Sequence, residues 1–184
     1  MSLNSTQLRE HLRHLTATGG PSWRLPLWDY ALALYAKDGV AAACLHLQDE
    51  FGADVCELLW ICWLACHDLA PGRDAPLVLA PVRDWQQETT QPLRDLRRRL
   101  KPQAVTSGLE SLRETVKRAE LQSERETLLR LQRLSDRAQG IRLLEPHDPA
   151  LAARLFEWLP ASDKNARQPL AILETRFDRP MVEP

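Results

Sequence analysis

The chain lacks a hydrophobic run long enough to cross a membrane. The longest uninterrupted apolar stretch, Leu58 to Cys66, has nine residues, whereas a transmembrane helix needs about 20. The N-terminal sequence also lacks the basic start and apolar centre of a secretory signal. We therefore expect no membrane span and a cytoplasmic location.

Net charge is almost absent as well. Lysine and arginine total 24, aspartate and glutamate total 25, and the formal net charge is −1. A protein with so little net charge has no long-range field that draws nucleic acid or an anionic membrane to it. A charged partner must therefore be bound by a local patch of side chains.

Glycine is scarce too, and recognisable catalytic motifs are missing. Only seven glycines occur in 184 residues, and they form no glycine-rich loop of the kind that binds phosphate. The sequence contains no serine nucleophile elbow and no paired acidic motif for magnesium. It therefore favours a binding protein over an enzyme, and it predicts no cofactor.

The four cysteines indicate neither disulfides nor a metal site. Cys62, Cys66 and His67 come closest to a metal motif, but structural zinc takes four ligands, and neighbouring side chains on a helix point about 100° apart. We therefore expect no metal. All the cysteines lie on apolar helical faces, which predicts free, buried thiols: Cys44, Cys56, Cys62 and Cys66.

Helical periodicity dominates what is present, and it predicts an all-α fold. A first core helix follows Pro26 and turns three apolar residues inward at i, i+4 and i+7 spacing, namely Trp28, Leu32 and Tyr35. A second helix ends at Gly52 and buries a longer stripe, namely Val40, Cys44, Leu47 and Phe51.

A third helix is predicted to begin at Asp54. Glu57 follows three residues later, and the two form a capping box in which aspartate replaces the usual serine or threonine. Residues 58–64 are apolar on every side of this helix, so other helices must surround it. We expect it to be the centre of the domain.

Two charged helices form a predicted hairpin between residues 82 and 138. The first is amphipathic and is kinked or restarted at Pro92. The second opens with a predicted capping box at Ser107 and Glu110 and stops at Gly140.

The predicted organisation is one domain with two appendages. Residues 1–20 form an N-terminal extension with a short helix, and residues 21–159 form a single all-α domain, similar to a helical bundle, of about six helices. Residues 160–184 contain Pro160, Pro169, Pro180 and Pro184 and are predicted to be an irregular tail. No strand is predicted.

The sharpest local charge is the run RDLRRRLK, which supplies Arg94, Arg97, Arg98 and Lys101. On a helix, Arg94, Arg98 and Lys101 share one face, so the segment can present a basic strip to an acidic protein surface or to structured RNA. The alternative is a solvated face whose cations complement the helix dipole. We expect a binding or adaptor protein that uses this strip.

A second hypothesis is a small-molecule enzyme or sensor. Asp29, His46 and Asp49 would converge in a polar pocket if the core helices folded back on one another. This hypothesis requires all three side chains to point into a closed cavity.

Trp23 is a candidate partner contact, because it lies just outside the first core helix. If it joined the exposed side of that helix in an apolar patch, a structural oligomer would be favoured. The sequence leaves the oligomeric state open.

The stretch LWDYALALYAKDGVAAACLHLQDEFGADVCELLWICWLA, followed by WQQETTQPLRDLRRRLK, resembles a small proteobacterial family known as a domain of unknown function. The likeness spans roughly residues 22 to 135. The resemblance implies a bacterial, cytosolic, all-α protein, and it brings no catalytic residues with it. Its specific positions are Trp28, Tyr35, Gly39, Val40, Leu47, Gln48, Gly52, Asp54 and Val55.

Overall fold

The structure is a computed structural model that describes residues 25–161 and 163–177, with side chains left out for 103–107. Trp23 and the extension 1–20 lie outside the described residues. The described chain is predominantly helical, as predicted. Its helices are α1 Leu27–Tyr35, α2 Val40–Phe51, α3 Val55–Cys66, α4 Ala75–Val78, α5 Ala80–Trp85, α6 Gln91–Ser107, α7 Glu110–Asp136, α8 Leu151–Trp158 and α9 Arg167–Arg176, with a π-helical turn at Gln86–Thr90 and a 3-10 turn at Lys164–Ala166.

Helix α3 is the centre of the fold, as its apolar sequence predicts. Every residue of α3 except Val55 is buried. The indole N–H of Trp60 donates to Ser135 Oγ at 2.8 Å, and that of Trp63 donates to the Leu25 carbonyl at 3.0 Å. Both buried indoles therefore keep a hydrogen-bond partner, which burial of a tryptophan requires.

Helix α2 also matches its prediction. Gly52 closes it with a left-handed backbone at φ +65°, a conformation that glycine adopts without strain. The predicted stripe is buried, and it consists of Val40, Cys44, Leu47 and Phe51. All four cysteines of the chain are free and buried.

The predicted core face of α1 is wrong. Leu32 is 48% exposed, and Trp28 and Tyr35 are only partly buried. Asp29 lies three residues before Leu32, and residues at that spacing share a side of the helix. That aspartate marks the solvent side. The buried face is instead made by Leu27, Tyr30, Ala31 and Leu34.

The predicted hairpin is present, with different helix ends. Helices α6 and α7 pack against each other as the most extensive helix pair of the fold. The predicted start of α7 at Ser107 is wrong. Ser107 is the last residue of α6, which Gly108 ends at φ +66°, and α7 begins at Glu110.

A two-stranded antiparallel sheet joins the two halves of the chain, although no strand was predicted. Strand β1, Leu69–Pro71, pairs with β2, Ile141–Leu143. Three-residue strands are too short to show alternation. Gly140 enables the pairing, because a Cβ at this position would lie 2.3 Å from the side chain of Val78.

The prediction of an irregular C-terminal tail is wrong for residues 167–176, which form helix α9. Leu170 and Leu173 are fully buried in the same core as α3, and α9 packs on α2 and α8. Pro169 lies in the first turn of α9, where a proline is tolerated because its missing N–H would have no helical partner.

Candidate functional site

A polar cleft of about 920 Å³ opens at the N-terminal end of α3. The turn between α2 and α3 forms one side, the π-turn and α6 form the other, and the end of α8 closes it. Its lining residues are Gln48, Gly52, Ala53, Asp54, Val55, Cys56, Glu57, Arg83, Gln86, Gln87, Thr90, Gln91, Arg94, Arg98, Trp158 and Pro160.

Asp54 lies on the floor of the cleft and caps α3, as its sequence predicts. Its Oδ1 accepts the backbone N–H of Glu57 at 2.9 Å. Burial of the carboxyl group, assisted by the nearby charge of Glu57, raises the pKa of Asp54 to about 6. The hydrogen bonds from the Glu57 backbone and the Gln86 side chain, and the charge of Arg94, act in the opposite direction.

Glu57 is the most constrained residue of the cleft. It is 3% exposed, and its carboxylate accepts Arg83 Nε at 2.7 Å and Arg83 Nη2 at 2.8 Å. The indole N–H of Trp158 also donates to Glu57 Oε2 at 2.7 Å. Such charge-assisted, two-pronged bonding fixes orientation, so Glu57 holds Arg83 and Trp158 in place on the wall.

Two arginines of the predicted basic strip point into the hairpin rather than to solvent. Arg94 donates to Glu124 at 2.9 Å and to Glu120 at 3.3 Å, and Arg97 also pairs with Glu120. Burial lowers the pKa of Arg94, but the bonds to Glu124 and Glu120 outweigh it, so the pKa is raised. Most of the positive charge on these two side chains is neutralised within the fold.

Arg98 and Lys101 complete the strip and remain exposed. Arg98 lines the cleft and pairs with Asp49, and both side chains are about half exposed, at 48% and 49%. Ion pairs of that exposure contribute about 0–1 kcal/mol, so a ligand can replace Asp49 at little cost. Lys101 does not line the cleft.

The alternative pocket near Asp29, His46 and Asp49 is not formed. All three side chains are exposed, and the cleft includes none of them. His46 lies edge-on to the ring of Phe51. Asp29, His46 and Asp49 are polar enough to form a site. They face solvent, however, because α1 and α2 bury their opposite, apolar faces.

Sequence reasoning missed Glu57, Arg83 and Trp158 as a unit. Glu57 is the only charged residue in α3, and a lone charge in an apolar helix tends to be paired. The sequence could therefore have shown that Glu57 needs a partner. It could not have identified Arg83 and Trp158 as the partners, because they lie 26 and 101 residues further along the chain.

One wall of the cleft carries a buried thiol. Cys56 is the thiol on its wall, and burial raises its pKa well above the ordinary value, so the reactive thiolate is disfavoured. Among residues 25–161 and 163–177, no group of histidine, cysteine and acidic side chains is arranged to hold a metal ion.

Within the same ranges, no helix is both long and apolar enough to cross a bilayer.

Fold and cleft together define an all-helical protein with a surface site lined by arginine and glutamine. Residues 26–131 match the family model described as Protein of unknown function (DUF2390), so the chain belongs to that family. The match runs from α1 into α7 and includes the whole cleft except Trp158 and Pro160. No curated protein and no solved structure matches the chain.

Proposed function

We propose that this protein is a non-catalytic binding protein that holds an acidic segment of a partner protein in the cleft. The observation that carries the proposal is the pair of half-exposed arginines, Arg83 and Arg98, on the wall of one polar groove. Guanidinium groups bind carboxylates through parallel N–H donors. Arg83 uses Nε and Nη2 for Glu57, so its Nη1 can still serve a ligand.

The carboxylates in the cleft do not cancel this attraction. Glu57 is enclosed by Arg83 and Trp158, and Asp54 directs its charge at the first N–H groups of α3. Helix N-termini stabilise negative charge, which offsets part of the Asp54 charge, although burial still raises its pKa to about 6. An incoming acidic segment therefore meets the arginines and glutamines first.

An acidic protein segment is favoured over RNA. Nonspecific RNA affinity needs several free cations along a surface, and sequence readout usually stacks bases on aromatic rings. Arg94 and Arg97 are already paired with glutamates. Trp158 is the aromatic residue of the cleft, and the guanidinium of Arg83 lies 5.9 Å from its ring centre, which leaves little space for a base.

The proposal places the protein in the bacterial cytoplasm. The four free, buried thiols support this location, because reducing compartments keep cysteines unpaired. Fractionation of the source cell, followed by detection of the chain, tests the location independently of any binding activity.

The binding proposal is tested by fluorescence anisotropy with a labelled peptide of alternating glutamate and alanine. We expect salt-sensitive binding, and we expect Arg98→Gln to weaken it about ten-fold, because a hydrogen bond to a charged group contributes about 1.5–3 kcal/mol. Arg99→Gln is the matched control, since Arg99 is the exposed neighbour and does not line the cleft. It should change affinity less than two-fold.

Two results would contradict the proposal. One is equal loss of affinity in Arg98→Gln and Arg99→Gln, which would indicate a diffuse charge effect. The other is tighter binding of a single-stranded RNA of the same length and charge, which would favour RNA as the partner. A peptide of alternating lysine and alanine should not bind.

A further inference from the structure

The cleft is elongated along one helical wall. Arg83 and Arg98 are 15 residues apart in a helical stretch that runs without a break from α5 through the π-turn into α6. At a rise of about 1.5 Å per residue, slightly less in the π-turn, their backbones are about 20 Å apart. Gln87, Gln91 and Arg94 lie between them at steps of four, four, three and four residues, which places all five on one face.

An extended ligand fits the width of the cleft. Spread along about 20 Å, about 920 Å³ corresponds to a mean cross-section of about 46 Å², or at least about 8 Å across. An extended chain needs less width than that, since neighbouring strands lie less than about 5 Å apart.

Amide side chains border the groove on both sides. Gln48 approaches from α2, and Gln86 and Gln87 approach from the π-turn. A glutamine amide both donates and accepts hydrogen bonds, so it can pair with the N–H and C=O groups of an extended backbone. A helical ligand would have most of those groups already bonded internally.

We propose that the occupant is an extended segment whose two acidic side chains are six positions apart, one bound by Arg83 and the other by Arg98. This inference rests on the proposed function. At about 3.3 Å per residue, 20 Å corresponds to six steps along a strand. Six is an even number, so both carboxylates point to the same side of the segment and toward the same helical wall.

Peptides of equal charge and different spacing test the inference. The probes are labelled nine-residue peptides of serine and alanine with two glutamates at separations of three, four, five, six or seven. Fluorescence anisotropy with the full chain should give the tightest binding at six, at least five-fold tighter than at five or seven, whose second carboxylate points away from the wall.

Two variants connect the preference to the cleft. Arg98→Gln should remove the preference for a separation of six, because one of the two anchors is gone. Gln87→Ala should weaken the six-spaced peptide about three-fold, whereas Gln122→Ala should not, because Gln122 is exposed on α7 and does not line the cleft.

The outcomes separate the inference from the proposed function. Affinity that depends on Arg98 but not on glutamate spacing overturns the inference and leaves the proposed function in place. An optimum at three or four, the spacing of a helical face, also overturns the inference, because it indicates a helical ligand. If neither these peptides nor the glutamate–alanine repeat binds, both proposals are wrong.

Discussion

Hydrogen bonds to charged groups fix the side chains of the cleft in position, and the clearest case is Glu57. Its carboxylate lies in an apolar helix and would be costly to bury alone. Three donor groups from Arg83 and Trp158 satisfy it. A residue that serves the fold in this way also orients the wall of the cleft, since both of its partners face the ligand space.

Asp54 makes the stability of the fold depend on pH in a specific direction. Its pKa is about 6 in the folded protein and 3.8 in an ordinary solvated carboxyl group. The folded state therefore binds the proton more tightly, so this group stabilises the fold most below pH 4. That contribution falls as the pH rises from about 4 to 6 and is constant above.

The measurement is urea unfolding at pH 4, 5, 6 and 7 for the wild type and for Asp54→Asn. Asparagine caps helices about as well as aspartate but does not titrate. Between pH 4 and 6 the wild type should lose about 1 kcal/mol relative to Asp54→Asn, because the shift corresponds to about 2 kcal/mol over this pH range and the partial exposure of Asp54 reduces it. A constant difference across this range would show that Asp54 titrates normally.

Among the elements, the π-turn at Gln86–Thr90 sets the geometry of the cleft. It inserts extra backbone between α5 and α6 and so determines how Arg83 is rotated relative to Arg98. Thr90 is buried on this turn, and its Oγ1 lies 2.5 Å from Ser123 Oγ of α7. The turn is therefore anchored to the hairpin.

Inserting one alanine after Glu88 should rotate α5 relative to α6. One added residue turns a helical stretch by about 100°, which moves Arg83 off the face that carries Arg98. We expect at least a ten-fold loss of affinity for the six-spaced peptide with an unchanged circular dichroism spectrum. The control is Glu88→Ala, which keeps the backbone length, because Glu88 is exposed. Equal affinity of the insertion and the substitution would show that the phase between α5 and α6 does not position Arg83.

The elements differ in how far local sequence determines them. Helices α2 and α3 were predicted correctly because Gly52 and Asp54 act within a few residues of their own positions. The π-turn and strand β2 have no comparable local signature. They depend on contacts made elsewhere, such as the pairing of Leu69 with Leu143 across the fold.

In the candidate site, too, the locally determined features were predictable from the sequence and the features that depend on distant contacts were not. The capping role of Asp54 and the basic character of the α6 strip were evident from the sequence. The direction of each arginine was not, because Arg94 and Arg97 turn inward only when Glu120 is packed opposite them in the hairpin. The proline content of the tail suggested an irregular segment, but Pro169 lies in the first turn of α9, where proline is compatible with a helix.

At the scale of the whole molecule, the C-terminal helix α9 completes the core around α3. Leu170→Ala should destabilise the fold by about 2–5 kcal/mol, because Leu170 is fully buried and its loss leaves a cavity. Leu77→Ala is the matched control. Leu77 is 77% exposed, and its truncation should change the free energy of unfolding by no more than about 0.5 kcal/mol. Similar urea midpoints for the two variants would show that α9 is not part of the core.

The central claim is that the cleft at the start of α3 binds an acidic segment. The most direct test follows the indole N–H signals of the tryptophans by NMR while the six-spaced glutamate peptide is added. The signal of Trp158, which borders the cleft, should shift and saturate, and the signals of the buried Trp60 and Trp63 should stay in place. An unchanged Trp158 signal in the presence of bound peptide would contradict the claim.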